Sequence, residues 1–185
     1  NNLSLTPKKI AAADNLAEYE YRGTKLLKAF KPQHIVSSDK TSGKWQCKIQ
    51  SMGILYGNEL NWDAEKIKQL EVKIAAHGSP GYMMMMFDYI VDGKKHTSTM
   101  RHSVHPDGKE HTLLFRTGKE NSWQGTIKSI RFYYYALDPA EISFNSIYGR
   151  NSENLIPDAE NAPVGKAFSP GTLWTRGKYT LEWNG

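Results

Sequence analysis

Cysteine is nearly missing from this chain. Cys47 stands alone, so no internal disulfide can staple the fold. Between Gln46 and Lys48, in a strand-like stretch, it reads as an inert, half-buried thiol. It does not identify the compartment, because a secreted bacterial protein can manage without disulfides. Long apolar runs are missing too. Nothing approaches the ~20 residues of a membrane-spanning helix, and no block of charged, apolar and small residues marks a signal peptide. The lysines come in ones and twos ("PKK", "GKK", "EKIK"), with no basic run of the kind that forms a nucleic-acid arm. A glycine-rich phosphate loop, a G-x-S-x-G elbow and an H-E-x-x-H pair are all absent, which removes the usual sequence footing for nucleotide, serine-hydrolase or zinc-protease chemistry. The expected partners therefore include neither nucleic acid nor a membrane.

What the chain does have is length, aromatics and alternation. Its 185 residues suffice for one substantial domain with a real core. The formal charge of +5 and pI near 9.1 permit an anionic partner such as an acidic polysaccharide, and equally serve plain solubility. Ten tyrosines and five tryptophans fit a recognition surface, because a phenol packs its ring while its hydroxyl stays wet. "QLEVKIAA" (69–76) alternates with Leu70, Val72 and Ile74 on one side. "YMMMMFDYIV" (82–91) is a long apolar strand that stops at Asp92-Gly93, and "KKHTSTMRH" should return beside it as a hairpin. "HTLLFRT", "WQGTIKSIRFYYY" and "EISFNSIYG" follow with turns between them. "NWDAEKIKQ" reads as one helical turn. Short strands at this spacing predict an all-β, two-sheet antiparallel β-sandwich of jelly-roll type over residues 1–150. Residues 151–185 are rich in Asn, Pro, Gly and acid, and read as an irregular extension docked on the sandwich and ending in one more strand, "KYTLEWNG". The abrupt start "NNLSL" is expected of a module cut from a longer chain.

Chemistry is harder to assemble. His96, His102, His105 and His111 lie close in sequence but without metal-ligand spacing on one element. Asp88 and Glu141 are candidate acids for glycoside hydrolysis, which needs two carboxyls facing each other across a sugar, and nothing in the sequence brings them together. Glu141, beside a turn, is a weak candidate for a structural calcium. No cofactor is required by any motif. Met83 to Met86 put two methionines on each face of their strand, one pair in the core and one on the opposite side, to be covered by the tail or left as an adaptable surface. "RFYYYALDP" (131–139) raises a sharper possibility. If Ile130, Phe132 and Tyr134 face the core, then Arg131, Tyr133 and Tyr135 line the other face as one guanidinium and two phenols.

The stretch "DGKEHTLLF" (107–115), then Trp123, Gly125, Ile127 and Ile130-Arg131, then "ISFNSI" (142–147), resembles carbohydrate-binding modules of the galactose-binding-domain-like β-sandwich type. These modules are appended to secreted bacterial glycoside hydrolases and polysaccharide lyases. The likeness covers less than half the chain. It departs from the family pattern twice: Phe132 to Leu137 are inserted before Asp138-Pro139, and Asn145 stands where aspartate is common. The first lengthens the tyrosine strand; the second weakens any case for a metal there. Trp45, Trp123 and Gly125 read as structural.

The resemblance implies a non-catalytic module, secreted or at the cell surface, that targets a catalytic domain of the same chain to a polysaccharide, as a monomer. Arg131, Tyr133 and Tyr135 would supply ring stacking and hydroxyl contacts on a sheet face. A second candidate site is the loop end, with Trp62, Lys95, Arg101 and His102, whose basic character suits uronic or sulfated sugars. Two other readings remain open: a jelly-roll lyase or hydrolase, and a structural spacer.

Overall fold

The computed structural model describes residues 17–151, 173–176 and 179–182. The opening "NNLSLTP" and the Pro- and Gly-rich segment after 151 lie outside these residues. The chain divides into two compact units, 1–155 and 156–185. The second contains a hairpin of β13 (Leu173–Arg176) and β14 (Tyr179–Glu182).

The first unit is a two-sheet antiparallel β-sandwich. Its elements are β1 (Ala17–Arg22), α1 (Thr24–Ala29), β2 (Phe30–Gln33), β3 (Ser37–Thr41), β4 (Lys44–Ile49), β5 (Met52–Gly57), β6 (Trp62–Asp63), β7 (Gln69–Gly78), β8 (Gly81–Val91), β9 (Lys94–Val104), β10 (Asp107–Phe115), β11 (Thr126–Ala136) and β12 (Ala140–Arg150). One sheet runs β10-β7-β12-β4-β3, with β1 also beside β12. The other runs β2-β5-β11-β8-β9, with β6 also beside β11. Most connections cross between the sheets, as a jelly roll requires. The exceptions include two hairpins, β3–β4 and β8–β9. The β8–β9 turn has Asp92 at φ 50° and Gly93 at φ 72°, the left-handed pair that a two-residue turn needs to match the strand twist.

Alternation sets the core. Leu70, Val72, Ile74 and Ala76 of β7 and Ala140, Ile142, Phe144 and Ile147 of β12 face Met83, Met85 and Phe87 of β8 and Ile130, Phe132 and Tyr134 of β11, all buried. On β12 an extra residue, Asn145, shifts the register between Phe144 and Ser146. It donates to the Glu110 carboxylate and accepts from Ser143 Oγ at 2.6 Å, which is a structural use for the position. Trp123 closes one end of the core, packing edge-on against Phe87 at 4.9 Å and donating from Nε1 to the Ala64 carbonyl at 3.1 Å. Gly125 sits at φ 64°, where a Cβ would lie 2.1 Å from the Ile90 carbonyl oxygen, so the strand crossing tolerates only hydrogen there.

Candidate functional site

The outer face of the β2–β9 sheet carries the most concentrated chemistry among the described residues. Strand register places its side chains in rows. Lys31, Tyr56, Arg131, Met86 and Thr99 occupy one row; Gln33, Ile54, Tyr133, Met84 and Arg101 the next; Met52, Tyr135, Tyr82 and Ser103 the third. The face is thus a patch of four tyrosines and three methionines with a guanidinium towards either end.

The rings pack against one another. Tyr133 and Tyr135 are near-parallel, 6.0 Å apart at 11°, and Tyr135 and Tyr82 are 4.9 Å apart at 21°. Tyr133 leans across β8 so that its hydroxyl points at Met86 Sδ at 3.9 Å. Burial and the neighbouring phenols of Tyr82 and Tyr133 push the Tyr135 pKa up, against the opposing charge of Arg101. Arg131 lies over the Tyr56 ring at 4.9 Å, and Arg101 over the Tyr82 ring at 5.6 Å, both within cation–π range.

One buried carboxylate organises one end of this face. Asp88 is 4% exposed and accepts from Thr97 Oγ1 at 2.7 Å, Ser129 Oγ at 2.8 Å and Arg131 Nη2 at 3.2 Å, with Lys95 Nζ at 3.3 Å. Burial alone would raise its pKa. The hydrogen bonds from Thr97, Ser129 and Lys95 and the charge of Arg131 outweigh that and hold it down at about 2. Asp88 is therefore an ionised anchor, not a candidate general acid.

The structure brings Arg131, Tyr133 and Tyr135 together as the alternation predicts, and it redraws the second site. Lys95 and Arg101 project from β9 onto this same sheet face, not a loop end. Trp62 is fully buried, stacked on Tyr19 at 5.2 Å with its Nε1 donating to the Tyr21 hydroxyl at 2.9 Å, so its ring is unavailable to a ligand. His102 alternates to the core side of β9, where it meets Phe115 edge-on at 6.0 Å. Tyr56 and Tyr82 complete the patch. The sequence hides them because only strand pairing puts them beside Tyr133 and Tyr135.

The four histidines do not form one cluster: His96 stacks on Tyr89, His102 meets Phe115, and His111 bonds Asp107 at 2.7 Å with the His105 ring 5.8 Å away. Glu141 lies on the outer face of the other sheet and pairs with Lys48 at 3.2 Å. Among the described residues no three His, Cys, Asp or Glu side chains are placed to hold a metal ion, and no helix is long and apolar enough to cross a membrane. Cys47 is more deeply buried than its sequence neighbours imply, at 3% exposure, and desolvation pushes its thiol up to about 12. A groove of about 260 Å³ on the outer face of the β10–β3 sheet is lined in large part by polar residues, including Asp39, Gln46, Lys48, His77 and Glu141, and by no Phe, Tyr or Trp.

No family profile and no curated protein matches this sequence. Solved structures with a similar fold include the family 11 carbohydrate-binding module of a cellulosomal cellulase of Clostridium thermocellum (16% identity, 76% of this chain and 92% of that one, TM-score 0.45). The C-terminal CBM6 of the marine laminarinase LamC from Zobellia galactanivorans is 12% identical over 70% of this chain and 96% of that one, with TM-score 0.47. The agarase AgWH50C is 9% identical over 76% of this chain but only 25% of its own length, with TM-score 0.49.

Proposed function

We propose that this chain is a non-catalytic carbohydrate-binding module whose ligand, an acidic polysaccharide, lies across the outer face of the β2–β9 sheet. One observation carries the reading: Tyr56, Tyr82, Tyr133 and Tyr135 share a single sheet face with Met84, Met86, Arg101 and Arg131. Pyranose rings present C–H faces that pack on phenols, and hydroxyls that bond planar polar groups. Thioether side chains between the rings adapt to irregular contours. Among the described residues, strands β2, β5, β8, β9 and β11 direct one carboxylate outward, Asp88, and that group is buried and bonded by several donors, whereas glycoside hydrolysis needs an opposed pair. The module would serve a polysaccharide-degrading catalytic domain in a longer secreted or surface-exposed chain, and act as a monomer.

The test is calorimetric titration with a panel of soluble polysaccharides, run beside an assay for reducing ends and unsaturated products. Saturable binding without turnover is expected. Turnover that vanishes on Tyr133→Phe would overturn the non-catalytic reading, and failure to bind any glycan would favour a spacer.

A further inference from the structure

The cations on the proposed face are not equivalent, and their pairing divides the labour of recognition. Lys31, Lys95, Arg101 and Arg131 are among the basic residues that register places on its outer side. Lys31 gives its ammonium to the Leu27 carbonyl at 2.5 Å. Lys95 and Arg131 both converge on the buried Asp88, so part of their charge and donor capacity is already committed. Arg101 has no carboxylate within ion-pair distance among the described residues. It is exposed, and its guanidinium is steadied over Tyr82. Stacking on a ring leaves the N–H edges of the planar fork free, the geometry that grips a carboxylate or sulfate through two parallel hydrogen bonds.

We infer that Arg101, stacked on Tyr82, is the residue that reads the anionic group of the glycan, while Arg131, held by Asp88, contacts the sugar irrespective of charge. This rests on the reading of the face as a glycan site and adds to it the residue that sets selectivity. Carboxylated and sulfated sugars share the chemistry Arg101 would recognise, and the experiment separates them.

Alginate, polygalacturonate, chondroitin sulfate and carrageenan are titrated, the uronates beside their carboxyl-reduced forms and the sulfated chains beside their desulfated forms, at low and physiological salt. The intact protein should prefer at least one acidic chain over its neutralised partner by roughly tenfold or more, the value of a charge-assisted contact, and the preference should shrink as salt rises. Arg101→Gln should bring that ratio close to one by weakening the acidic chain far more than its neutral partner. Arg131→Gln should weaken both partners by a similar factor and leave the ratio standing. The thermal melt of Arg101→Gln should match the parent, because its side chain is exposed. The pair that responds, carboxyl-reduced or desulfated, names the anion. A ratio that survives Arg101→Gln, or equal binding of acidic and neutral forms by the intact protein, overturns the inference while leaving the glycan site intact. Absence of binding to every probe, acidic or neutral, overturns both.

Discussion

Adjacent phenols on β11 meet opposite surroundings. Tyr134 is fully buried and donates to the Ser79 carbonyl at 3.2 Å, whereas Tyr133 is half-buried and reaches over Met86. Tyr134→Ala should destabilise the fold by roughly 3–5 kcal/mol, as large aromatic truncations in cores do. Tyr133→Ala should leave the melting curve nearly unchanged and cost glycan affinity about 0.5–1.5 kcal/mol beyond area burial. Paired melts and titrations check both, and a melt that collapses for Tyr133→Ala instead would place the face wrongly. Asp88 belongs to the same scale. Its folded pKa, about 2, lies below the unfolded value near ~4. The stabilisation it brings is therefore present above pH ~4 and disappears as pH falls through 2. At roughly 1.4 kcal/mol per pKa unit this amounts to about 2 kcal/mol. Asp88→Asn should lower stability at neutral pH and flatten the slope of unfolding free energy between pH ~5 and 2, measured by urea titration at each pH.

At the scale of elements, β8 presents a test of its own alternation. Met83 and Met85 are fully buried and Met84 and Met86 half-buried on the open face. Brief peroxide treatment should convert Met84 and Met86 to sulfoxides well before Met83 and Met85, read by peptide mass spectrometry. Bound glycan should slow that conversion. These strands are the part of the fold most legible in the sequence. Leu70-Val72-Ile74 and Ile130-Phe132-Tyr134 announce their buried faces by period, and Asp92-Gly93 announces its hairpin by the backbone angles it permits. Other elements have no such signature. α1 is six residues long, too short for a 3.6-residue period to emerge, and β3, "SSDKT", is exposed throughout and so has no apolar face to detect. The candidate site was legible in part for the same reason. Arg131, Tyr133 and Tyr135 share a strand, so local alternation groups them. Tyr56, Tyr82, Lys95 and Arg101 join them only through pairing of β5, β8 and β9, which local pattern does not encode. Trp62 sits in a two-residue strand, which offers no period from which to tell inside from outside.

Across the whole molecule, pairing is largely non-local. β1 lies beside β12, with Tyr21 opposite Ile147, and β5 beside β11, with Leu55 opposite Phe132. Such a topology must close long loops before any contact rewards it, so refolding should take milliseconds to seconds by stopped-flow fluorescence, and not the microseconds of helical bundles. Circular dichroism should be dominated by strand.

The position of β9 has a consequence beyond recognition. It is the last strand of its sheet, eleven residues long, and among the described residues no strand pairs with its outer side. A long unpaired margin is a template on which other chains can grow as cross-β aggregates, and charged side chains are a common natural deterrent. Lys94, Lys95 and Arg101 place such charges on β9. In the proposed reading, selectivity and colloidal behaviour share residues. Replacing Lys95 and Arg101 together by β-favouring neutral residues such as threonine, to broaden the range of glycans accepted, should raise light scattering on prolonged incubation even where thermal stability is unchanged. A redesigned binder on this scaffold would need a proline or a fresh lysine elsewhere along that margin to stay dispersed.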